Sequence, residues 1–360
     1  MTRTLTRRTV VRGFCASMVL GANMRIAHAP RVAATAGTTL YDIGMAKNYT
    51  TDVTAAPDGT AWFHGGSTNE IGRITLSGEV TRVKLPTQRE TDAPNAVVAA
   101  PDGSIWFTEY SGHQIGRLAP DGTITEYPFA PDNYFDDLAV GLDSSVWFRE
   151  SMSKSVGRIT PDGTISHFSA APSPSTFTVG PGGNVWFTTG SAETPGASLG
   201  FITPAGMVSY IPVSFPVTGT IVYGPGDAFW IAANSLRTGG GHYYSAIYRV
   251  TPTGIVTSLG LSGGYYARSS ITVGADGNVW VGIYGATGDR IARITPTNQI
   301  TEYTVPDTGV FVLTKIAASP DGDILFSQRN IRDGWGRIGR LDPTKAIPTS
   351  ETPEFTGTPQ

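Results

Sequence analysis

The sequence has little charge, a single cysteine and no long apolar run. Only 15% of its 360 residues are charged, and 26 Lys and Arg against 29 Asp and Glu give a formal net charge of −3. This balance argues against nucleic acid as the main partner, because phosphate binding needs a basic surface. The lone Cys15 excludes a disulfide framework and a cysteine-based zinc site. Because no run of about 18 apolar residues occurs, we expect no membrane-spanning helix.

Glycine and proline are abundant instead, with 44 and 25 copies. Residues that favour turns at this density interrupt long helices, and they are typical of short strands joined by tight turns. The composition therefore favours an all-β chain.

Residues 1–36 have the features of an export signal. Residues 6–11 (TRRTVV) resemble a twin-arginine signal, and a modestly apolar stretch follows at 13–22. The small residues at 34–36 (ATA) favour cleavage near residue 36. We therefore expect an extracytoplasmic or secreted protein.

A nine-residue phrase recurs seven times in the rest of the chain. Six copies carry a tryptophan, and Leu325 takes its place in the seventh. The tryptophans are Trp62, Trp106, Trp147, Trp186, Trp230 and Trp280. A second phrase follows each copy, for example IGRLAPDGTIT at 115–125. Each unit thus predicts four short strands, with Asp-Gly-type turns suited to hairpins.

A four-stranded sheet of this kind cannot bury both of its faces alone, whereas radial stacking of such sheets can. We predict an all-β, seven-bladed β-propeller of four-stranded antiparallel blades over residues 37–343, with the tryptophans packed between blades. The segment 38–42 (TTLYD) is similar to the outer-strand phrase at 124–128 (ITEYP). We therefore expect the N-terminal strand to close the ring, and the Pro/Thr-rich residues 344–360 to form a flexible tail.

The repeat, best seen at 101–109 (PDGSIWFTE) and 115–128 (IGRLAPDGTITEYP), resembles that of the virginiamycin B lyase, or streptogramin lyase, family over about residues 38–342. The resemblance implies an enzyme that opens a cyclic depsipeptide at its ester by elimination, with the help of Mg²⁺. It implies histidines just before two inner strands, a glutamate two residues before one of them, and another glutamate after the last Trp-Phe phrase.

This sequence departs from that pattern at every one of those positions. The histidine positions hold Ser269 and Thr314, and Val312 replaces the glutamate before the last of them. After Leu325-Phe326 come Ser327, Gln328 and Arg329, so the second glutamate is missing too. No histidine occurs between residues 243 and 360. We therefore expect the family's own mechanism to be absent, and Mg²⁺ is suggested by the resemblance alone.

Other polar residues are predicted to face the same channel mouth. Asp136 is the one ionisable residue among the seven positions equivalent to the family's histidines, so it is the candidate catalytic base. Glu109 and Glu150 are candidate metal ligands. His64 follows Trp-Phe and could face the mouth, whereas His167 lies on an outer strand and is expected at the surface. The candidate ligand-binding residues are Tyr134, Asn95, Arg149, Tyr265, Tyr266 and Arg268.

Three functions remain open at this point. The first is an exported lyase-like enzyme with a divergent site, and the second is a non-catalytic extracytoplasmic propeller that binds a glycan, a peptide or a protein. The third, a sugar-lactone hydrolase-like propeller, is disfavoured because those proteins usually have six blades and a recognisable calcium site. In each case we expect a monomer with a small-molecule, peptide or glycan ligand at the mouth.

Overall fold

The computed structural model of the chain describes residues 10–11, 24–28, 31–43, 52–64, 68–86, 94–109, 112–129, 135, 137–150, 155–170, 174–189, 198–213, 219–237, 243–261, 266–285, 288–306 and 309–352. For residues 10–11, 24–28, 31–35, 234–237, 243–245, 260, 266, 268–269 and 350–352, only the backbone is described. None of the described segments forms a helix long and apolar enough to cross a bilayer.

Seven antiparallel sheets, each built around four strands, confirm the predicted propeller. The strands of blades 1 to 4, from the channel outwards, are Val53–Ala55, Ala61–His64, Glu70–Ile74, Glu79–Lys84; Pro94–Ala99, Ile105–Glu109, Gln114–Leu118, Ile124–Pro128; Leu138–Val140, Val146–Glu150, Ser155–Ile159, Ile165–Ser169; and Pro174–Val179, Val185–Thr189, Ser198–Ile202, Val208–Pro212. Those of blades 5 to 7 are Gly219–Gly224, Ala228–Arg237, Tyr243–Val250, Val256–Gly260; Tyr266–Val273, Val279–Gly285, Gly288–Ile294, Ile300–Thr304; and Phe311–Ala318, Ile324–Asn330, Gly336–Leu341, Thr38–Asp42.

The N-terminal strand closes the ring, as predicted. Thr38–Asp42 pairs antiparallel with Gly336–Leu341 and so becomes the fourth strand of blade 7. The innermost strands contact one another in sequence around the channel, and that of blade 7 contacts that of blade 1. The last blade therefore combines three strands from the C-terminal part of the chain with one from the N-terminal part.

Short additional strands lie on the outer edges of four blades. Val10–Val11 pairs with blade 3, Met24–His28 with blade 1, and Arg31–Thr35 with Thr38–Asp42. Ser350–Thr352 pairs with Ile300–Thr304 of blade 6, in the segment that the sequence predicted to be a flexible tail. Each of these strands adds to a blade that already has four.

The PDG, Trp and Gly-Arg phrases of the repeat keep a fixed spacing because their side chains contact one another, as in blade 2. Asp102 accepts a hydrogen bond of 2.9 Å from the backbone N–H of Ser104 and so fixes the turn. Arg117 lies directly opposite Trp106 on the neighbouring strand. Its guanidinium is 5.7 Å from the indole centroid and 3.1 Å from Asp102. Equivalent Asp-Arg-Trp groups are Asp58, Arg73 and Trp62; Asp143, Arg158 and Trp147; and Asp276, Arg293 and Trp280.

The glycine of the Gly-Arg phrase makes room for the phenylalanine of the Trp-Phe phrase. Phe107 lies directly opposite Gly116 in the register. A Cβ atom on Gly116 would lie 2.1 Å from the Phe107 ring, which no real packing allows. The same arrangement recurs at Phe63 and Gly72, Phe148 and Gly157, Phe187 and Gly200, and Phe326 and Gly339.

The hydrophobic core is divided among the junctions between blades. The buried apolar side chains that the structure describes form seven clusters, one at each junction. The innermost strands are joined as well, because threonine hydroxyls accept hydrogen bonds from backbone N–H groups of the next blade. These pairs are Thr54 with Ala99, Thr178 with Tyr223, and Thr272 with Ala318. The fold therefore holds the residues at the channel in fixed positions.

Candidate functional site at the channel

In blade 7, the position that the resemblance assigns to a catalytic histidine lies against the segment after Leu325-Phe326, where it places a metal-binding glutamate. The hydroxyl oxygens of Thr314 and Ser327 are 2.8 Å apart. Thr314 lies at a register shift in the innermost strand, which brings its side chain against the second strand. The two hydroxyls hydrogen-bond to each other, but neither is a base near neutral pH, and neither is a strong ligand for a divalent cation.

The remaining positions, in blades 6 and 7, do not supply the missing groups. Val312 occupies the other glutamate position with an apolar side chain. Ser270, one residue after the histidine position, is buried, and its hydroxyl accepts a 2.7 Å hydrogen bond from the Ile316 backbone N–H. The residues present therefore do not fit the Mg²⁺ site that the resemblance implies.

A charged pair lies at the same level of the channel, where blade 7 meets blade 1. The ammonium nitrogen of Lys315 is 3.3 Å from Asp52 Oδ1, and the Lys315 side chain keeps 39% of its surface accessible. Asp52 accepts hydrogen bonds of 2.9 Å from the Val53 N–H and 3.2 Å from the Val97 N–H of blade 2. One carboxylate thus connects blades 7, 1 and 2.

Electrostatics keep Lys315 charged. The Asp52 carboxylate, and to a smaller extent Asp137 of blade 3, raise the pKa of Lys315 above its ordinary value, although desolvation opposes them. Asp137 itself accepts a 3.1 Å hydrogen bond from the Phe177 N–H of blade 4. Asp52, Asp137 and Lys315 occupy the same place in their units, one residue before the apolar residue of the innermost strand. That shared place is the sequence signal that could have identified them.

His64 is the nearest imidazole to this pair. It is completely buried on the second strand of blade 1, next to the innermost strand that Asp52 precedes. Burial lowers the pKa of His64, and the Asp52 carboxylate opposes that shift only in part. The ring is therefore neutral at physiological pH.

The predicted metal ligands Glu109 and Glu150 are both buried, and each contacts the outer part of its own blade. The Glu109 carboxylate accepts a hydrogen bond from the side-chain amide of Gln114 on the third strand. Glu150 Oε1 is 2.9 Å from Nδ1 of His167 on the fourth strand. Glu150 holds the pKa of His167 above its ordinary value. His167, expected at the surface, thus pairs with a buried carboxylate.

The other candidate residues are described only in part. Asn95 is exposed at the start of its innermost strand, and Arg149 is half-buried on the second strand of blade 3. Only the backbone is described at Tyr266 and Arg268, while Asp136, Tyr134 and Tyr265 lie outside the described residues. Within the described segments, no three His, Cys, Asp or Glu side chains lie close enough together to hold a metal ion.

Comparison with known proteins gives a consistent picture. The sequence profile described as the virginiamycin B lyase family matches residues 21–208 and 173–359. A catalytically inactive histidine-to-alanine variant of virginiamycin B lyase from Staphylococcus aureus, solved with quinupristin, is similar at 26% identity and a TM-score of 0.69, over 85% of this chain and 98% of that one. A streptogramin B lyase structure is similar at 26% identity and a TM-score of 0.68, over 86% and 99% of the two chains. No curated protein sequence matches significantly.

Proposed function

Because this chain belongs to the virginiamycin B lyase family, we propose that it is an exported propeller that binds a cyclic peptide or ester ligand at its channel mouth without cleaving it. The Thr314–Ser327 contact carries the proposal. The resemblance requires a proton acceptor at the place of Thr314 and a metal carboxylate just after Leu325-Phe326. Thr314 contacts Ser327 there, and Gln328 and Arg329 follow, so the site lacks the groups that do the chemistry.

The Lys315 ammonium supplies the polar contact for such a ligand. An ammonium has three N–H donors, and Asp52 is the nearest described acceptor, so donors remain for carbonyl oxygens of a peptide or ester ring. Asp52 and Asp137 keep Lys315 charged and fixed in the channel. A ligand whose carbonyls converge on one side suits this position.

The test uses quinupristin, with which the similar lyase structure was solved. We expect the purified protein to bind it in a calorimetric titration, and ring opening to be undetectable by mass spectrometry with and without Mg²⁺. Lys315→Met should weaken binding at least about fivefold, whereas Lys345→Met, which removes an exposed lysine beside Asp342, should leave it unchanged. Ring opening by the wild-type protein would overturn the non-catalytic assignment, and absence of binding would overturn the ligand class.

A divergent lyase is the second candidate, and the neutral, buried His64 beside Asp52 favours it. A neutral imidazole can accept a proton from a carbon next to a carbonyl. If the wild-type protein opens the ring, this candidate requires His64→Gln to abolish the reaction while binding is retained.

Export is part of the proposal and is supported by the twin-arginine-like residues 6–11. The strands Met24–His28 and Arg31–Thr35 lie outside four complete strands of their blades, so cleavage near residue 36 would leave those four strands in place. Fractionation of expressing cells should recover a protein lacking about residues 1–36 outside the cytoplasm. The double variant Arg7→Lys, Arg8→Lys should retain the full-length chain inside. Equal export of both would exclude the twin-arginine route.

A further inference from the structure

In three blades an aromatic side chain of the fourth strand stacks on the tryptophan of the second strand. Tyr127 lies on Trp106 with ring centroids 5.8 Å apart and planes inclined by 20°. The other two pairs are Phe168 on Trp147, at 5.4 Å and 28°, and Tyr303 on Trp280, at 5.5 Å and 29°. The aromatic ring thus fills the outer part of the junction with the next blade.

These rings also pack against the turn between the third and fourth strands of the next blade. A Cβ atom built on Gly163 would lie 2.9 Å from the Tyr127 ring, and one built on Gly206 would lie 2.5 Å from the Phe168 ring. In the same way, a Cβ atom built on Gly78 of blade 1 would lie 2.7 Å from the ring of Tyr41 of blade 7. The turn glycine therefore marks the place that the ring of the preceding blade occupies.

At the junction of blades 1 and 2 this ring is missing. Val83 takes the place of the aromatic residue, since it pairs with Ile71 as Tyr127 pairs with Ile115. A Cβ atom on Gly122, the turn glycine of blade 2, would meet nothing within 4 Å. A cleft of about 310 Å³ is left between Trp62, Val83 and the 119–122 turn.

Trp62 is correspondingly more accessible than the other tryptophans of the repeat. It is half-buried, whereas Trp106, Trp147, Trp186, Trp230 and Trp280 are at most 4% exposed. The cleft walls are mostly apolar, and Ile105, Leu118, Pro57 and Pro120 line them together with the indole. An accessible tryptophan in an apolar cleft is a stacking surface for another ring.

The polar rim of the cleft leaves the stacking position open. Arg73 lies 5.8 Å from the Trp62 centroid and is paired with Asp58 at 3.0 Å. In blade 2, Arg117 lies 5.7 Å from Trp106 while Tyr127 stacks on the same indole. The arginine and a stacked ring are therefore compatible on one tryptophan.

We propose that this cleft binds a small aromatic molecule of the phenol class, stacked on Trp62 in the position that Tyr127 occupies on Trp106. The neighbouring blades indicate which ligand fits, because the phenol ring of Tyr127 and the phenyl ring of Phe168 fill the equivalent space beside their own tryptophans. Arg73 and Asp58 at the rim are available to the hydroxyl or another polar substituent. The site lies at the opposite end of the blades from Lys315, so it does not depend on the function proposed for the channel.

The probe is p-cresol, which has the chemistry of a tyrosine side chain. We expect saturation-transfer NMR to detect binding with a Kd on the order of 1 mM, as befits so small a ligand. Val83→Tyr supplies the missing ring from the chain itself and should weaken binding at least about tenfold. Lys84→Tyr adds the same side chain to the next, exposed position and serves as the matched control with wild-type affinity.

A second measurement does not depend on how Val83→Tyr folds. The Trp62 indole N–H resonance, assigned by its loss in Trp62→Phe, should shift on addition of p-cresol more than those of the buried tryptophans. No detectable binding by the wild-type protein would show that the cleft is only a packing gap. Equal binding by Val83→Tyr, or an unmoved Trp62 resonance, would place the probe elsewhere. Any of these results overturns the proposal.

Discussion

The Lys315 ammonium lies 3.3 Å from Asp52, and this pair joins the innermost strand of the last blade to that of the first. The same carboxylate accepts the Val97 N–H of blade 2, so its removal loosens three blades at once. We expect Asp52→Asn to lower the free energy of unfolding by about 2 kcal/mol, the usual magnitude for hydrogen bonds to a charged group. Urea unfolding measures the difference.

Glu70→Gln is the matched control, because the half-buried Glu70 pairs with Arg82 at a longer distance of 3.6 Å and within blade 1 alone. A partly exposed pair of this kind contributes about 1 kcal/mol or less. The pKa of Lys315 is raised, so the contribution of the pair is complete below the ordinary lysine pKa and is lost only as pH rises through the raised value. The effect of Asp52→Asn should therefore be the same at about pH 6 and about pH 9. Equal losses for the two variants would contradict the three-blade role.

A second prediction concerns Phe107 and Gly116, which face each other in blade 2. Gly116→Ala should lower the free energy of unfolding by about 1–3 kcal/mol, because the new methyl group would overlap the Phe107 ring. Blade 6 shows the compensation, since Val281 there lies opposite Ala292. In the Phe107→Val background, Gly116→Ala should be far less destabilising. A double-mutant cycle with additive losses would refute the steric explanation.

The repeat allowed the architecture to be predicted, since seven copies of one phrase leave few alternatives to seven equivalent sheets. The closing strand followed from the likeness of 38–42 to 124–128. The direction in which each side chain points near the channel was harder to predict. Glu109 and Glu150 end their second strands, where adjacent positions face opposite sides of the sheet, and their contacts with Gln114 and His167 lie within their own blades.

The Asp52–Lys315 pair could not be derived from local pattern alone. Its members lie near opposite ends of the chain and meet only because the ring closes. The cleft at Trp62 was missed for a related reason. Val83 is an ordinary strand residue by itself, and its significance emerges only when its position is compared with Tyr127 and Phe168 in the three-dimensional repeat.

The closing strand gives a third prediction. A chain beginning at residue 37 keeps Thr38–Asp42, whose Leu40 is buried in the core between blades 6 and 7 and whose Tyr41 packs on Gly78. Such a chain should unfold cooperatively, with a midpoint near that of the full-length protein. A chain beginning at residue 44 loses the fourth strand of blade 7 and exposes the edge of Gly336–Leu341. We expect it to lose cooperative thermal unfolding and to aggregate. Similar melting curves for the two truncations would show that the strand is dispensable.

The last prediction uses two histidines whose pKa values shift in opposite directions. Burial lowers the pKa of His64, so the unfolded chain binds a proton more readily, and stability is lost as pH falls through the ordinary histidine value. Glu150 raises the pKa of His167, so its contribution is complete below the ordinary value and is lost as pH rises through the raised one. The two residues therefore oppose each other between about pH 5 and about pH 7.

As pH falls from about 7 to about 5, the wild-type protein loses some of its free energy of unfolding. We expect His64→Gln to make this loss smaller and His167→Gln to make it larger. One proton linked to unfolding changes the slope by at most about 1.4 kcal/mol per pH unit. Urea unfolding of both variants at matched pH values isolates the slopes from any overall destabilisation. Because the surface carboxylates are common to both variants, their titration cancels in the comparison. Slopes that move in the same direction would mean that the neutral state of His64, on which the second functional candidate depends, has been assigned wrongly.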